Sequence, residues 1–127
     1  MADLKGRILV VDDDVDMQTF LRKFLSSEGH EVVTVSTASE ALSIIENKEF
    51  PHHEIDIIVT DMNMPEMNGL AFIKRVKETH SEIPVILVTA FGSVETAVEA
   101  MKLGSYDYVT KPFKLSDLRA TVDRALN

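Results

Sequence analysis

Five residues have types and positions that could do chemistry together. Asp12 and Asp13 follow the apolar run Ile8-Leu9-Val10-Val11. Asp61 follows Ile55 to Val59 and Thr60. Thr89 follows Val85-Ile86-Leu87-Val88, and Lys111 follows Tyr106 to Val109 and Thr110. Carboxylates packed together repel, and a hard divalent cation relieves the repulsion. Mg²⁺ prefers a few carboxylates completed by waters and phosphate oxygens. Adding Lys111 makes a site for a phosphoryl group, with cationic charge on both sides of the transferring oxygens. A carboxylate nucleophile can then form an acyl phosphate. The Thr89 hydroxyl can donate to a phosphoryl oxygen, and the small Ala90 beside it leaves access.

These residues must be brought together by the elements that carry them. The apolar runs, with Val32-Val33-Thr34-Val35 as the second, are short, rich in β-branched residues and mostly without strict alternation. That pattern predicts parallel strands covered on both faces. Between them the period becomes helical. The stripes are Met17, Phe20, Leu21, Phe24, Leu25; then Ala38, Ala41, Leu42, Ile45; then Phe72, Ile73, Val76; then Val94, Ala97, Val98, Met101; and last Leu115, Leu118, Val122, Leu126. Each reads as the face of a helix laid on a sheet. Thr37 and Glu40 form a capping box for the second helix. Gly29 and Gly104 stand where helices should end, and Pro84 stands at a strand start. Alternation of this kind predicts a doubly wound α/β sheet with right-handed crossovers. Ligands then bind beyond the carboxyl ends of the strands, where the five residues fall.

Composition narrows the classes. The 127 residues make one domain, 1–127, large enough for a real core. There is no cysteine, which excludes disulfides and thiolate metal sites and fits a reducing cytoplasm. A net charge of −8 argues against direct nucleic-acid binding by this domain. No apolar run is long enough to span a membrane, and no signal peptide is expected from the first residues. No linker is visible, and the chain stops where the fifth helix stops. Plainer roles compete for individual residues. Asp14 and Asp16 are expected to cap or solvate the first helix. His30, His52, His53 and His80 read as surface residues near loops and helix ends, with the adjacent pair His52-His53 a minor candidate for adventitious metal. The methionines of Met62-Asn63-Met64-Pro65 read as packing in a turn.

The combination resembles the receiver domains of two-component response regulators. The resemblance spans nearly the whole chain. It rests on Val10-Val11-Asp12-Asp13, Thr60-Asp61-Met62-Asn63-Met64-Pro65 with Met67 and Gly69, Val88-Thr89-Ala90, and Tyr108-Val109-Thr110-Lys111-Pro112-Phe113. It implies a flavodoxin-like, five-stranded parallel sheet in the order 2-1-3-4-5, flanked by five helices. It also implies roles. Asp61 is the phosphoacceptor. Asp12, Asp13 and Asp61, with the backbone carbonyl of Asn63, hold Mg²⁺. Lys111 pairs with the phosphoryl group. Thr89 and Tyr108 are the switch pair, and Asn63 and Phe91 tune dephosphorylation. The partner implied is a sensor histidine kinase or phosphotransfer protein. The chain would catalyse its own phosphotransfer and dephosphorylation, without turning over an external metabolite.

A finer resemblance lies in Thr89 to Val98 and Ser105-Tyr106-Asp107-Tyr108, which look like receivers of sigma-54-dependent, nitrogen-regulation-type transcription activators. The resemblance also implies an output face on the fourth helix, fifth strand and fifth helix. That face is expected to carry Glu99, Lys102, Tyr106, Arg119, Asp123 and Arg124 over Tyr108, and to form a phosphorylation-dependent homodimer. Other classes fit less well. A haloacid-dehalogenase-type phosphatase needs its nucleophile on the first strand and an acidic pair after the lysine, where Pro112-Phe113-Lys114 stands. A flavodoxin needs a phosphate-cradling first loop in place of Asp12-Asp13-Asp14. An EF-hand reading of Asp12-x-Asp14-x-Asp16 fails at Met17 and Lys23. A stand-alone interaction module remains as an alternative.

Overall fold

A computed structural model describes residues 5–47, 55–90 and 94–127 of the chain. The order of elements is β1 (Arg7–Val11), α1 (Val15–Ser27), β2 (Glu31–Val35), α2 (Ala38–Asn47), β3 (Ile57–Asp61), α3 (Gly69–Thr79), β4 (Val85–Ala90), α4 (Val94–Lys102), β5 (Asp107–Lys111) and α5 (Leu115–Leu126). The five strands form one parallel sheet in the order β2-β1-β3-β4-β5, as the resemblance implied.

Alternation along the strands divides the core between two faces. Leu9, Val11, Ile58, Val85 and Leu87 meet Ala38, Ala41, Leu42 and Ile45 of α2 and Phe72, Ile73 and Val76 of α3. Ile8, Val10, Ile57, Val59, Ile86, Val88 and Val109 meet Leu21 and Leu25 of α1 and Leu118 and Val122 of α5. Full burial of one such aliphatic side chain stabilises the fold by about 2 kcal/mol.

Helix starts follow local chemistry. Asp14 is the N-cap of α1, and its carboxylate accepts from the Asp16 and Met17 amides. At α2 the Thr37 hydroxyl accepts from the Glu40 amide at 3.1 Å. The Glu40 carboxylate reaches back to the Ser36 amide at 3.1 Å, one residue beyond the cap itself. Asn68 caps α3 through the Ala71 amide. After α1, Gly29 takes φ 96°, a conformation that favours glycine.

Several expectations need correction. β3 begins two residues and β5 one residue later than their apolar runs, and they extend through Asp61 and Lys111. Their ladders continue through polar residues because those residues line the site. The α4 stripe is rotated. Ala97 and Ala100 face inward, while Val94 is 69% exposed and Val98 and Met101 also face outward. Small residues let α4 approach the sheet closely, which leaves the larger ones on the outer side. Phe20, at 45% exposure, is likewise outside the core. His30 is buried rather than on the surface, and its Nδ1 accepts from the Gly6 amide at 3.1 Å. His80 is half-buried at the end of α3. His52, His53 and Phe91 lie outside the described residues. Among the described residues, no helix is long and apolar enough to cross a membrane.

Candidate functional site

The strand register brings the chemistry to one edge. β3 pairs with β4 so that Asp61 lies beside Val88, and β4 pairs with β5 so that Thr89 lies beside Thr110 and Ala90 beside Lys111. β1 ends at Val11 beside Thr60, so Asp12 emerges next to Asp61. One carboxylate oxygen from each of Asp12, Asp13 and Asp61 lies within 4.8 Å of the others. Asp12 and Asp61 are buried and Asp13 is exposed, so the cluster opens outward through Asp13.

Lys111 reaches across this edge and donates to Asp61 Oδ1 at 2.9 Å. Burial opposes the charge on Lys111. The hydrogen bond and charge of Asp61, with the charges of Asp12 and Asp14, outweigh burial and raise its pKa above the ordinary 10.5. Asp12 moves the other way in charge preference. Burial raises its pKa from 3.8 to about 6; the charges of Asp61 and Asp13 add to the rise, and the Asp14 amide and Lys111 oppose it. A carboxyl held up by burial and like charge becomes a better cation ligand once a cation offsets both.

Thr89 is buried, and its Oγ1 has no hydrogen-bond partner among the described residues. A buried hydroxyl without a partner costs about 1–3 kcal/mol. A ligand oxygen beyond the strand end would satisfy it. The two observations are compatible with a divalent cation and an anionic ligand: three clustered carboxylates for the cation, and a lysine with an unpaired hydroxyl for the anion.

The loop after β3 is held by Gly69, whose amide donates to the Met62 carbonyl at 2.7 Å. A Cβ at Gly69 would lie 2.9 Å from the Asp61 carbonyl oxygen and from Met62 Cα, so a side chain there would push Asp61 out of place. Asn63 is exposed on this loop. Tyr108 sits on β5 with its side chain 41% exposed. Tyr106 is also exposed, so it does not pack into the core.

Nothing in the sequence singled out Gln18. It lies on the first turn of α1, and its Nε2 donates to the Asp12 carbonyl. A polar residue within the apolar spacing of α1, near the two aspartates, is the signal that could have found it.

The proposed output face is partly rearranged. Arg124 donates to Asp107 Oδ2 at 3.1 Å, on the β5 side of α5. Arg119 instead turns to α1, where it pairs with Glu28 at 2.8 Å and lies 5.7 Å over the Phe24 ring. Asp123 faces His30, whose pKa it acts to raise. Arg119 and Asp123 therefore belong to the α1 flank, where the geometry of α5 turns them.

A parallel sheet in this order, with an acidic cluster and a lysine at its carboxyl edge, is a flavodoxin-like α/β domain with its candidate site at the strand ends. The model of the response regulator receiver domain family matches residues 8–123, and the chain belongs to that family. It is 40% identical over 119 residues to the transcriptional regulatory protein ZraR of Escherichia coli (strain K12), covering 94% of this chain and 26% of ZraR. It is 34% identical over 123 residues to the DNA-binding transcriptional regulator NtrC of Salmonella typhimurium (strain LT2), covering 97% of this chain and 25% of NtrC. The chain thus spans about a quarter of the length of these curated relatives. Among solved structures it superposes on the receiver domain of NtrX from Brucella abortus with a TM-score of 0.85 and 39% identity, covering 94% of this chain and 97% of that one. These relatives bear out the resemblance to receivers of nitrogen-regulation-type transcription activators. Family membership replaces the phosphatase, flavodoxin and EF-hand readings.

Proposed function

We propose that residues 1–127 act as a receiver that takes a phosphoryl group onto Asp61 from a sensor histidine kinase or phosphotransfer protein, and that the phosphorylated state controls a transcription-activating output of the sigma-54-dependent type. The observation that carries this reading is the pairing of Asp61 with Lys111 beside the unpartnered hydroxyl of Thr89.

Asp12, Asp13 and Asp61, with the Asn63 carbonyl, would hold Mg²⁺, which supplies charge neutralisation to the phosphoryl oxygens. A carboxylate oxygen of Asp61 attacks phosphorus. The bond from phosphorus to the donor histidine nitrogen breaks, and its electron pair stays with the imidazole. Lys111 exchanges its bond to Asp61 for a phosphoryl oxygen and keeps its charge, consistent with its raised pKa. Thr89 gains an acceptor that it lacks among the described residues of the free chain. That differential contact shifts the population between two states. Thr89 moves toward the phosphoryl group, and the Tyr108 ring turns inward behind it. Asn63 and Phe91 set the lifetime of the acyl phosphate.

The outward face of α4, β5 and α5 would then receive a second copy or an output partner. Val94, Val98, Met101, Tyr106 and Tyr108 supply its exposed apolar surface. The domain works in the cytoplasm and leaves nucleic acid to other segments, in keeping with its acidic charge.

Acetyl phosphate and Mg²⁺ should add one phosphoryl group, read by intact mass, and Asp61→Asn should abolish the addition. Uptake by Asp61→Asn at the parent rate would remove Asp61 from the mechanism.

A further inference from the structure

The strand end that carries Asp12 and Asp13 is under like-charge repulsion, and something must keep it in place. Asp12 is fixed at three points. Its amide donates to the Val35 carbonyl at 3.1 Å. Its Oδ1 accepts from the Asp14 amide at 2.9 Å. Its carbonyl accepts from the side-chain amide of Gln18. The first two bonds belong to the β1–β2 edge and to the turn itself. The third comes from outside the turn, from a helix.

Gln18 is well placed to hold it. Its own amide nitrogen donates to the Asp14 carbonyl at 3.0 Å, in the first turn of a helix capped by the Asp14 side chain. Its Nε2 also lies 3.2 Å from the Val35 carbonyl and 3.0 Å from the Ser36 hydroxyl oxygen. Two N–H groups serve three acceptors, so one bond is shared. Ser36 is in turn fixed by the Glu40 carboxylate at the start of α2. One side chain therefore ties α1 to the carboxyl ends of both β1 and β2, directly behind the carboxylate cluster.

We propose that Gln18 is a positioning residue for the cation site, holding the Asp12-Asp13 turn in its ligating geometry before a cation arrives. The inference rests on the reading of Asp12, Asp13 and Asp61 as a Mg²⁺ site. Without Gln18 the Asp12 peptide can pivot, and repulsion from Asp61 and Asp13 drives the turn apart. Binding a cation must then restore the geometry, which lowers affinity. Groups that orient ligands in this way change metal affinity about 10-fold or more when removed.

The test is Mg²⁺ titration followed by backbone amide resonances, with acetyl phosphate uptake measured across Mg²⁺ concentration. Gln18→Met keeps the length and apolar stem but has no donor. Its Mg²⁺ Kd is expected to rise about 10-fold. Phosphoryl uptake should recover toward the parent rate at saturating Mg²⁺, because the chemical groups are untouched. Gln18→Asn keeps the amide but is one methylene too short, and should follow Gln18→Met. A merely structural role would lower the melting temperature in EDTA without shifting Kd. Asp12→Asn is the control. If it loses Mg²⁺ affinity while both Gln18 variants bind within twofold of the parent, the positioning role is overturned and the site reading stands. If Asp12→Asn binds Mg²⁺ like the parent, the site reading itself fails.

Discussion

At the amino end of the sheet the Gly6 amide donates to His30, the Arg7 amide donates to Asp56 at 2.9 Å, and Arg7 pairs with Glu31 at 3.1 Å. At the carboxyl end three carboxylates crowd together and, among the described residues, the Thr89 hydroxyl has no partner. Both ends terminate the same strands and share the same core. The amino end satisfies its polar groups within the chain, while the carboxyl end leaves its own for a ligand. Paired polar groups are concentrated at the amino end, and unmet electrostatics at the carboxyl end.

Two substitutions of opposite sign would break that comparison or sharpen it. His30→Leu removes the acceptor for the Gly6 amide and should cost about 2 kcal/mol. It should leave acetyl phosphate uptake unchanged, since His30 lies at the far end of the sheet. Thr89→Val replaces an unpaired buried hydroxyl by a methyl and should stabilise the unphosphorylated chain by about 1 kcal/mol. Urea denaturation reads both. A stabilised His30→Leu or a destabilised Thr89→Val would mean that the two ends do not differ in this way.

The contrast was half legible in sequence. Strand order came with the family resemblance, and the carboxyl-edge site followed from motifs, because Asp12, Asp13, Asp61, Thr89 and Lys111 stand in fixed relation to apolar runs. The amino end was illegible because His30 looks like any polar residue after a helix-ending glycine. Only tertiary packing supplies the Gly6 amide that it accepts from. Periodicity likewise found α4 but not its orientation. Val94, Val98 and Met101 are the larger apolar residues, yet Ala97 and Ala100 face inward, since close approach to the sheet selects for small volume. The reach of Gln18 was invisible for the same reason as His30: its three acceptors lie on two other elements.

Acidity should separate the ends. Asp12 is raised from 3.8 to about 6 in the fold. Below about pH 4 it is protonated folded and unfolded. As pH rises through about 6, the unfolded chain has already released that proton and the fold must release it at a cost. Stability from this residue is therefore lost with rising pH. His30 is lowered below its ordinary 6.5, because burial outweighs the opposing pull of Asp123 and Glu28, with Lys5 adding to the fall. Its contribution is present above 6.5 and lost as pH falls through the lower folded value. The two slopes oppose each other in the parent. In EDTA, Asp12→Asn should leave a stability that rises toward pH 6.5, and His30→Leu one that falls toward it. Melting curves between pH 4 and 7 should show a divergence on the order of 5 °C. Parallel profiles would show that neither group is coupled to folding as argued.

The smallest effect tests where one end stops. Arg119 pairs with Glu28 and covers Phe24, which places it on the α1 flank and away from α4 and β5. The pair is partly exposed, and pairs open to solvent contribute little, about 0.5 kcal/mol, with the cation–π contact adding a similar amount. Arg119→Ala should therefore lower stability by about 0.5–1 kcal/mol, less at high salt as screening grows. It should leave any self-association driven by beryllofluoride and Mg²⁺ unchanged, because the α4–β5–α5 surface keeps its apolar residues and the Arg124–Asp107 pair. Val98→Asp should weaken that association instead, by burying a charge in an apolar contact. Sedimentation of the two variants discriminates: dimerisation lost in Arg119→Ala and kept in Val98→Asp would move the interface to the α1 flank.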